Sequence, residues 1–182
     1  MFNIRKDNLD HWLVPLMYGL LLGVIPIAVA NAADGAGDVV PVAEQEVKVN
    51  PLDKFKGAVK LSDSDLVELL SAVGFEGKAL KVAYAVAKKE SNGRPLAHNG
   101  DRGTGDNSFG IFQINMIDSL GDARRDKFGL TSNRDLFDPV TNAQIAHHMS
   151  NGGEDWSSWK IVPGKHNGER YQQYLKEFAE LN

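Results

Sequence analysis

Cysteine is absent from the 182-residue chain, so neither a disulfide framework nor a thiolate-based zinc site can form. That absence is compatible with an oxidising compartment without pointing to one. A strong charge of either sign is missing too: 24 acidic residues against 20 basic ones give a formal net charge of −4. Nucleic-acid binding usually requires a basic stripe; none stands out, so no nucleic acid is expected as a partner and the substrate is expected to be neutral or weakly charged. Histidine is scarce as well. His147-His148 is the pair that invites a metal reading, and with no third ligand at a recognisable spacing no metal site is expected.

Long apolar runs occur once, at the N-terminus. MFNIRKDNLDH precedes WLVPLMYGLLLGVIPIAVANA, which carries no charge between His11 and Asp34. Arg5 and Lys6, the apolar body and the Ala30-x-Ala32 arrangement fit a secretory signal peptide. The same stretch is long enough to cross a bilayer once as an anchor. Residues 1–32 are therefore expected to form a hydrophobic helix acting as signal peptide or membrane anchor. Either role sends the remainder to the periplasm or the exterior, secreted or with its N-terminus membrane-inserted.

Residues 33–60 mix Gly, Pro, Val and charges without a sustained period and read as a flexible tether. A compact domain is expected over residues 61–182. Ser62 suits a helix N-cap with Asp63 and Asp65 in the first turn; Leu66, Leu69, Leu70 and Val73 repeat at helical spacing up to Gly74. A second helix is expected from Lys78 to Ser91, with Leu80, Ala83, Tyr84 and Ala87 as its apolar stripe and Asn92-Gly93 as its stop. The apolar stretch from Ser108 to Met116 allows a strand by periodicity, but the polar residue at its start and its helical surroundings favour a short helix. Asp138 with Pro139 suits the start of a further helix, ended by Ser150 to Gly153. The last helix is expected from Gly168 to Leu181, with Tyr171, Tyr174, Leu175 and Phe178 facing inward. The fold class is mainly α.

Glu90 is the acid that stands out. Offsets of three and four place it on the face of Ala83 and Ala87, toward the packed side of its helix. Partial burial and the negative end of the helix dipole both disfavour a charged carboxylate there, which suits a general acid. The alternative is a solvated glutamate paired with Lys88, Lys89 or Arg94. The loop from Asn92 to Asn107 is rich in turn formers and can wall a groove. Asp101 and Asp106 within it offer a second carboxylate or an ion ligand, although DRGTGDN lacks the spacing and terminal glutamate of a calcium loop.

Glu90-Ser91, followed by Ser108-Phe109-Gly110-Ile111-Phe112-Gln113-Ile114-Asn115, resembles the E-S and S-x-G-[LI]-[MF]-Q-[IVM] motifs of the SLT/goose-type lytic transglycosylases of the lysozyme superfamily. The likeness is closest to the phage-type, lysozyme-like branch. Leu136-Phe137-Asp138-Pro139 with Asn142 also looks like that family's L-x-D-P-x-x-N entry to a later helix. The resemblance implies a lysozyme-like domain that cleaves the β-1,4 bond between N-acetylmuramic acid and N-acetylglucosamine in peptidoglycan glycan strands, without a cofactor. It implies Glu90 as the sole catalytic acid/base, and Ser108, Gln113 and Asn115 as substrate-binding residues along the cleft. Trp156 and Trp159 are candidates to stack on a sugar face, with core packing as their alternative.

The family's A-Y-N-x-G type motif, whose tyrosine reaches the catalytic glutamate, has no counterpart: residues 155–168 read DWSSWKIVPGKHNG. Three outcomes stay open, namely a lyase, a hydrolytic lysozyme, and a non-catalytic murein-binding assembly protein. Delivery with a phage virion or attachment to an envelope-spanning machine are the partner settings that the resemblance implies.

Overall fold

The computed structural model describes residues 49–181. The hydrophobic helix and signal or anchor expected over residues 1–32, and the tether up to residue 48, lie outside the described residues. Among the described residues, no helix is long and apolar enough to cross a membrane. The compact unit begins at Asn50, earlier than the Leu61 boundary expected from composition. Leu52 and Phe55, on a short 3-10 turn, are buried in the core, and the Gly57 amide donates to Asp138 Oδ2 at 2.6 Å. Those apolar residues are too widely spaced to show a period, which is why composition alone assigns them to a tether.

Among the described residues five α-helices carry the fold: α1 (Asp63–Val73), α2 (Gly77–Ser91), α3 (Asp118–Phe128), α4 (Pro139–Met149) and α5 (Glu169–Glu180). The start of α1 is fixed by a capping box in which Ser62 and Asp65 satisfy each other's backbone amides. Its end is Gly74 in the left-handed conformation, φ 116°. Helix α2 runs through the middle of the unit, packed between α5 and α1. Its residues from Val82 to Ala87 are therefore all buried, a wider face than the four-residue stripe expected.

Where α1, α2 and α5 meet, Lys88 carries its buried stem to Asp63, with Nζ 2.7 Å from Oδ1. The same ammonium lies 5.6 Å from the ring centre of Tyr174. A cation held by a carboxylate and an aromatic face pins three helices at one point.

Helix α4 starts as its sequence suggests, with Asp138 accepting from the Thr141 amide at 2.8 Å and Pro139 at the first position. Between α2 and α3 lies a small antiparallel sheet in the order β1 (His98–Asn99), β2 (Ser108–Phe109), β3 (Ile114–Asn115). The short helix expected from Ser108 to Met116 is thus corrected to a β-hairpin. Gly110 at φ 73° and Gln113 at φ 48° stand at the two ends of its turn. A right-handed helix cannot run through two left-handed residues.

Helix α3 escaped the sequence reading altogether. Its eleven residues bury only Gly121, so no apolar stripe announces it.

Candidate active site

The end of α2 and the hairpin are held in fixed relation by the residue after Glu90. Ser91 is buried, and its Oγ donates to the Ile111 carbonyl at 2.7 Å while accepting from the Arg94 amide at 3.1 Å. From the other side, Asn142 on α4 clamps the same turn. Its Oδ1 accepts from the Phe112 amide at 2.9 Å, and its Nδ2 donates to the carbonyls of Phe109 (3.0 Å) and Leu136 (2.9 Å). Gly110 is obligatory here: a Cβ would stand 2.1 Å from Asn142 Nδ2 and 2.3 Å from the Leu136 carbonyl. The two motifs in the sequence are therefore one construction, a helix end and a hairpin locked together through backbone carbonyls.

Above that joint opens a cleft of about 490 Å³. Glu90 lines it, together with Ser108, Gln113 and Asn115 from the hairpin and Trp159 from the opposite side. The sequence-predicted residues are thus brought together, with one exception. Trp156 is not on the cleft: it is 1% exposed, stacks on Phe75 and Phe112 with ring centres 5.8 Å and 6.1 Å away, and donates its Nε1–H to the Gly153 carbonyl. It is a core residue, and a sugar cannot reach it. Trp159 contributes only an edge, being 8% exposed with its Nε1–H donated to the Phe112 carbonyl at 2.7 Å.

Glu90 is 22% exposed, and its Oε1 accepts from Lys89 Nζ at 2.7 Å. The ion pair expected of a merely solvated glutamate is present, yet the carboxylate also faces the cleft. Its other oxygen, Oε2, has no partner among the described residues. Lys88 is committed to Asp63, and Arg94 Nε to the Ser91 carbonyl.

Ser108 and Asn115 are cross-strand partners, so their side chains share one face of the sheet. Ser108 Oγ donates to Asp106 Oδ1, and Asp106 Oδ2 accepts from Asn99 Nδ2 at 2.6 Å. Asp106 lines the cleft; Asp101 does not, its carboxylate capping the Gly103 amide at 2.9 Å. Asn115 is fully employed. Its Nδ2 donates to the Gly105 carbonyl (3.0 Å), and its Oδ1 accepts from the amides of Asn107 (3.3 Å) and Ile117 (3.0 Å). It ties the loop wall to the floor. Gln113 donates Nε2 to the carbonyls of Gly110 and Ala97, leaving its Oε1 as an acceptor at the cleft.

Of the loop expected to form the wall, Thr104, Gly105 and Asp106 line the cleft among the described residues. Residues 92–97 line a separate cavity of about 450 Å³ with Val59, Lys60 and Leu61. Sequence reasoning named Lys89 solely as a partner for Glu90 and missed Arg124 and Lys160; together they bring three cations to the cleft. Arg124 sits on the helix without an apolar stripe, so nothing announced it. No tyrosine lines the cleft among the described residues. Nor, among them, do three or more His, Asp or Glu residues gather as a metal site would require.

Such a cleft, walled by a small sheet on one side of a helical body with one helix-borne glutamate beside it, defines a mainly α-helical domain built around a groove. The chain belongs to the lysozyme-like domain family, whose model matches residues 67–161, just over half of its length. The matched span runs from α1 to the residue after Lys160, so it contains the whole cleft. Membership fits an enzyme that cleaves peptidoglycan. No curated protein and no solved structure gives a significant match to the chain.

Proposed function

We propose that the protein is a peptidoglycan lytic transglycosylase of the SLT type, with Glu90 as its single acid/base. The observation that supports this most is the convergence of Glu90, Ser108 and Gln113 on one cleft inside the lysozyme-like span. A glycan strand lying in the cleft would present its glycosidic oxygen to Glu90. Glu90 gives its proton to that oxygen as the bond to C1 of the muramoyl unit breaks. The N-acetyl oxygen of the same sugar covers the electron-poor C1. Deprotonated Glu90 then takes the proton of the 6-hydroxyl, whose oxygen closes on C1 and releases the N-acetyl group. The product is a 1,6-anhydro end, and no water enters the balance.

A hydrolytic second reading is favoured by the placement of Asp106 on the same cleft. With its carboxylate oriented by Ser108 and Asn99, Asp106 could hold a water for attack on C1, and the product would then be a reducing end. Mass spectrometry of digested murein separates the readings. Anhydro-muramoyl ends support the lyase and reducing ends the hydrolase, whereas binding to murein without cleavage identifies a non-catalytic wall-binding protein. Such a substrate lies outside the cytoplasm, which agrees with the apolar N-terminal segment as signal or anchor. The phage-like motifs favour delivery with a virion over an envelope-spanning machine.

A further inference from the structure

The cations of the cleft are unevenly used. Lys89 is neutralised by Glu90. Arg124 and Lys160 also line the cleft, and neither has an ion-pair partner among the described residues. Arg124 Nη1 donates to the Asn115 carbonyl, and its partial burial lowers its pKa from the ordinary value with no opposing carboxylate to offset it. A guanidinium taken part-way out of water without an anion is an energetic cost, which a ligand anion would relieve through charge-assisted hydrogen bonds. Lys160 is exposed at the opposite end of the sequence span, held at the rim by a left-handed backbone at φ 54° after the Ser157–Trp159 turn. The chain as a whole is acidic, at −4, and the cleft also holds the Asp106 carboxylate on its neutral partners Ser108 and Asn99; even so, its cations outnumber its carboxylates, three to two.

We infer that Arg124 and Lys160 form a subsite for a carboxylate borne by the muramoyl unit, so that the cleft selects anionic glycan strands over neutral ones. The inference rests on peptidoglycan being the substrate. Along such a strand the hydroxyls and N-acetyl groups are neutral, and the carboxylates sit on the lactyl arm of the muramoyl sugar. That carboxylate is the lactyl group's own where the arm is free, and belongs to the stem peptide where the arm is amide-linked. Both present the same chemistry to a guanidinium and an ammonium.

The test measures equilibrium binding of the full-length Glu90→Gln variant with Lys89→Gln beside it, which leaves the strands uncut without freeing the Lys89 ammonium, to three glycan preparations. One carries stem peptides. One has been stripped by an amidase, leaving free lactyl carboxylates. In the third, all carboxylates have been converted to methylamides by carbodiimide coupling. The expected result is about tenfold tighter binding of at least one carboxylate form than of the methylamide form, on the scale of one charge-assisted hydrogen bond. Whichever carboxylate form binds more tightly identifies the source. Adding Lys160→Gln, at an exposed side chain with no hydrogen bond of its own among the described residues, should bring the ratio to about threefold or less. Arg124→Gln should do the same, with Lys160→Gln as the control against disturbance at Asn115. Equal binding of the neutralised strands, no measurable binding of the carboxylate forms, or a ratio unchanged by Lys160→Gln overturns the subsite. Cleavage of murein by the unaltered protein is read separately: a carboxylate preference without any cleavage would sink the catalytic reading and leave the subsite standing.

Discussion

Ser91 Oγ donates to the carbonyl of Ile111, 20 residues away, at 2.7 Å, and that bond holds the last turn of α2 against the hairpin. It gives a physical reason for a serine directly after the glutamate. Serine is small enough to be buried there, and its hydroxyl satisfies both the Ile111 carbonyl and the Arg94 amide. Ser91→Ala should therefore cost about 1–3 kcal/mol, because buried backbone groups lose their partner. Murein cleavage should fall by about tenfold or more at a temperature where the variant is fully folded, since the glutamate is no longer held against the floor. Urea unfolding and a turbidity assay on isolated walls read the two effects. A stability loss without any loss of rate would show that the tie does not position Glu90.

Gly110→Ala should be more damaging than any exposed substitution on the cleft. The new methyl group meets Asn142 and the Leu136 carbonyl, while the backbone at φ 73° disfavours a side chain. An unfolding penalty of about 3 kcal/mol or more is expected from the two effects together. Asn142→Leu should approach it, because three backbone groups are left unpaired. Equilibrium unfolding of both variants checks this; near-native midpoints would contradict the clamp.

Acid should weaken the fold through the histidines of α4. Burial lowers the pKa of both His147 and His148 below the ordinary value of 6.5, and in His148 the Lys127 ammonium and His147 act in the same direction. Between the lowered values and 6.5 the unfolded chain holds protons that the folded chain does not, so stability rises with pH in that window and is lost as pH falls through it. The urea midpoint should fall between pH 7 and pH 5, less steeply in His147→Gln. A slope unaltered by that substitution would assign the acid sensitivity elsewhere.

Asp106→Asn separates two chemistries in one cleft. If Glu90 works alone, the variant should still give anhydro ends, with its rate changed by the altered Ser108 and Asn99 contacts. Loss of all cleavage, together with reducing ends from the unaltered protein, would make Asp106 the residue that holds water. Mass spectrometry of the released fragments is the measurement.

The helices that bury an apolar stripe were legible in the sequence almost to the residue: the capping Ser62, the stop at Gly74, and Asp138-Pro139 all stand where local chemistry puts them. The joint at Glu90-Ser91 and Ser108 to Asn115 was legible as a pair of motifs but not as a shape. Its turn depends on Asn142 and Leu136, far along the chain, and on left-handed Gln113, which no local pattern announces. Helix α3, and with it Arg124, stayed hidden because a polar helix that buries one glycine carries no hydrophobic period. Trp156 could not be told from Trp159 by sequence, since both sit three residues apart beside serines. Only packing against Phe75 and Phe112 sends one inward and leaves the other an edge on the cleft.

The most direct test of the account is the clearing of isolated peptidoglycan by Glu90→Gln beside the unaltered protein, at equal concentration and with unfolding midpoints measured on both. The glutamine keeps the shape of the side chain and removes the proton donor, so the rate should fall by about 10²-fold or more while the midpoint barely moves. Clearing by the variant at close to the original rate would contradict Glu90 as the acid and base of this cleft.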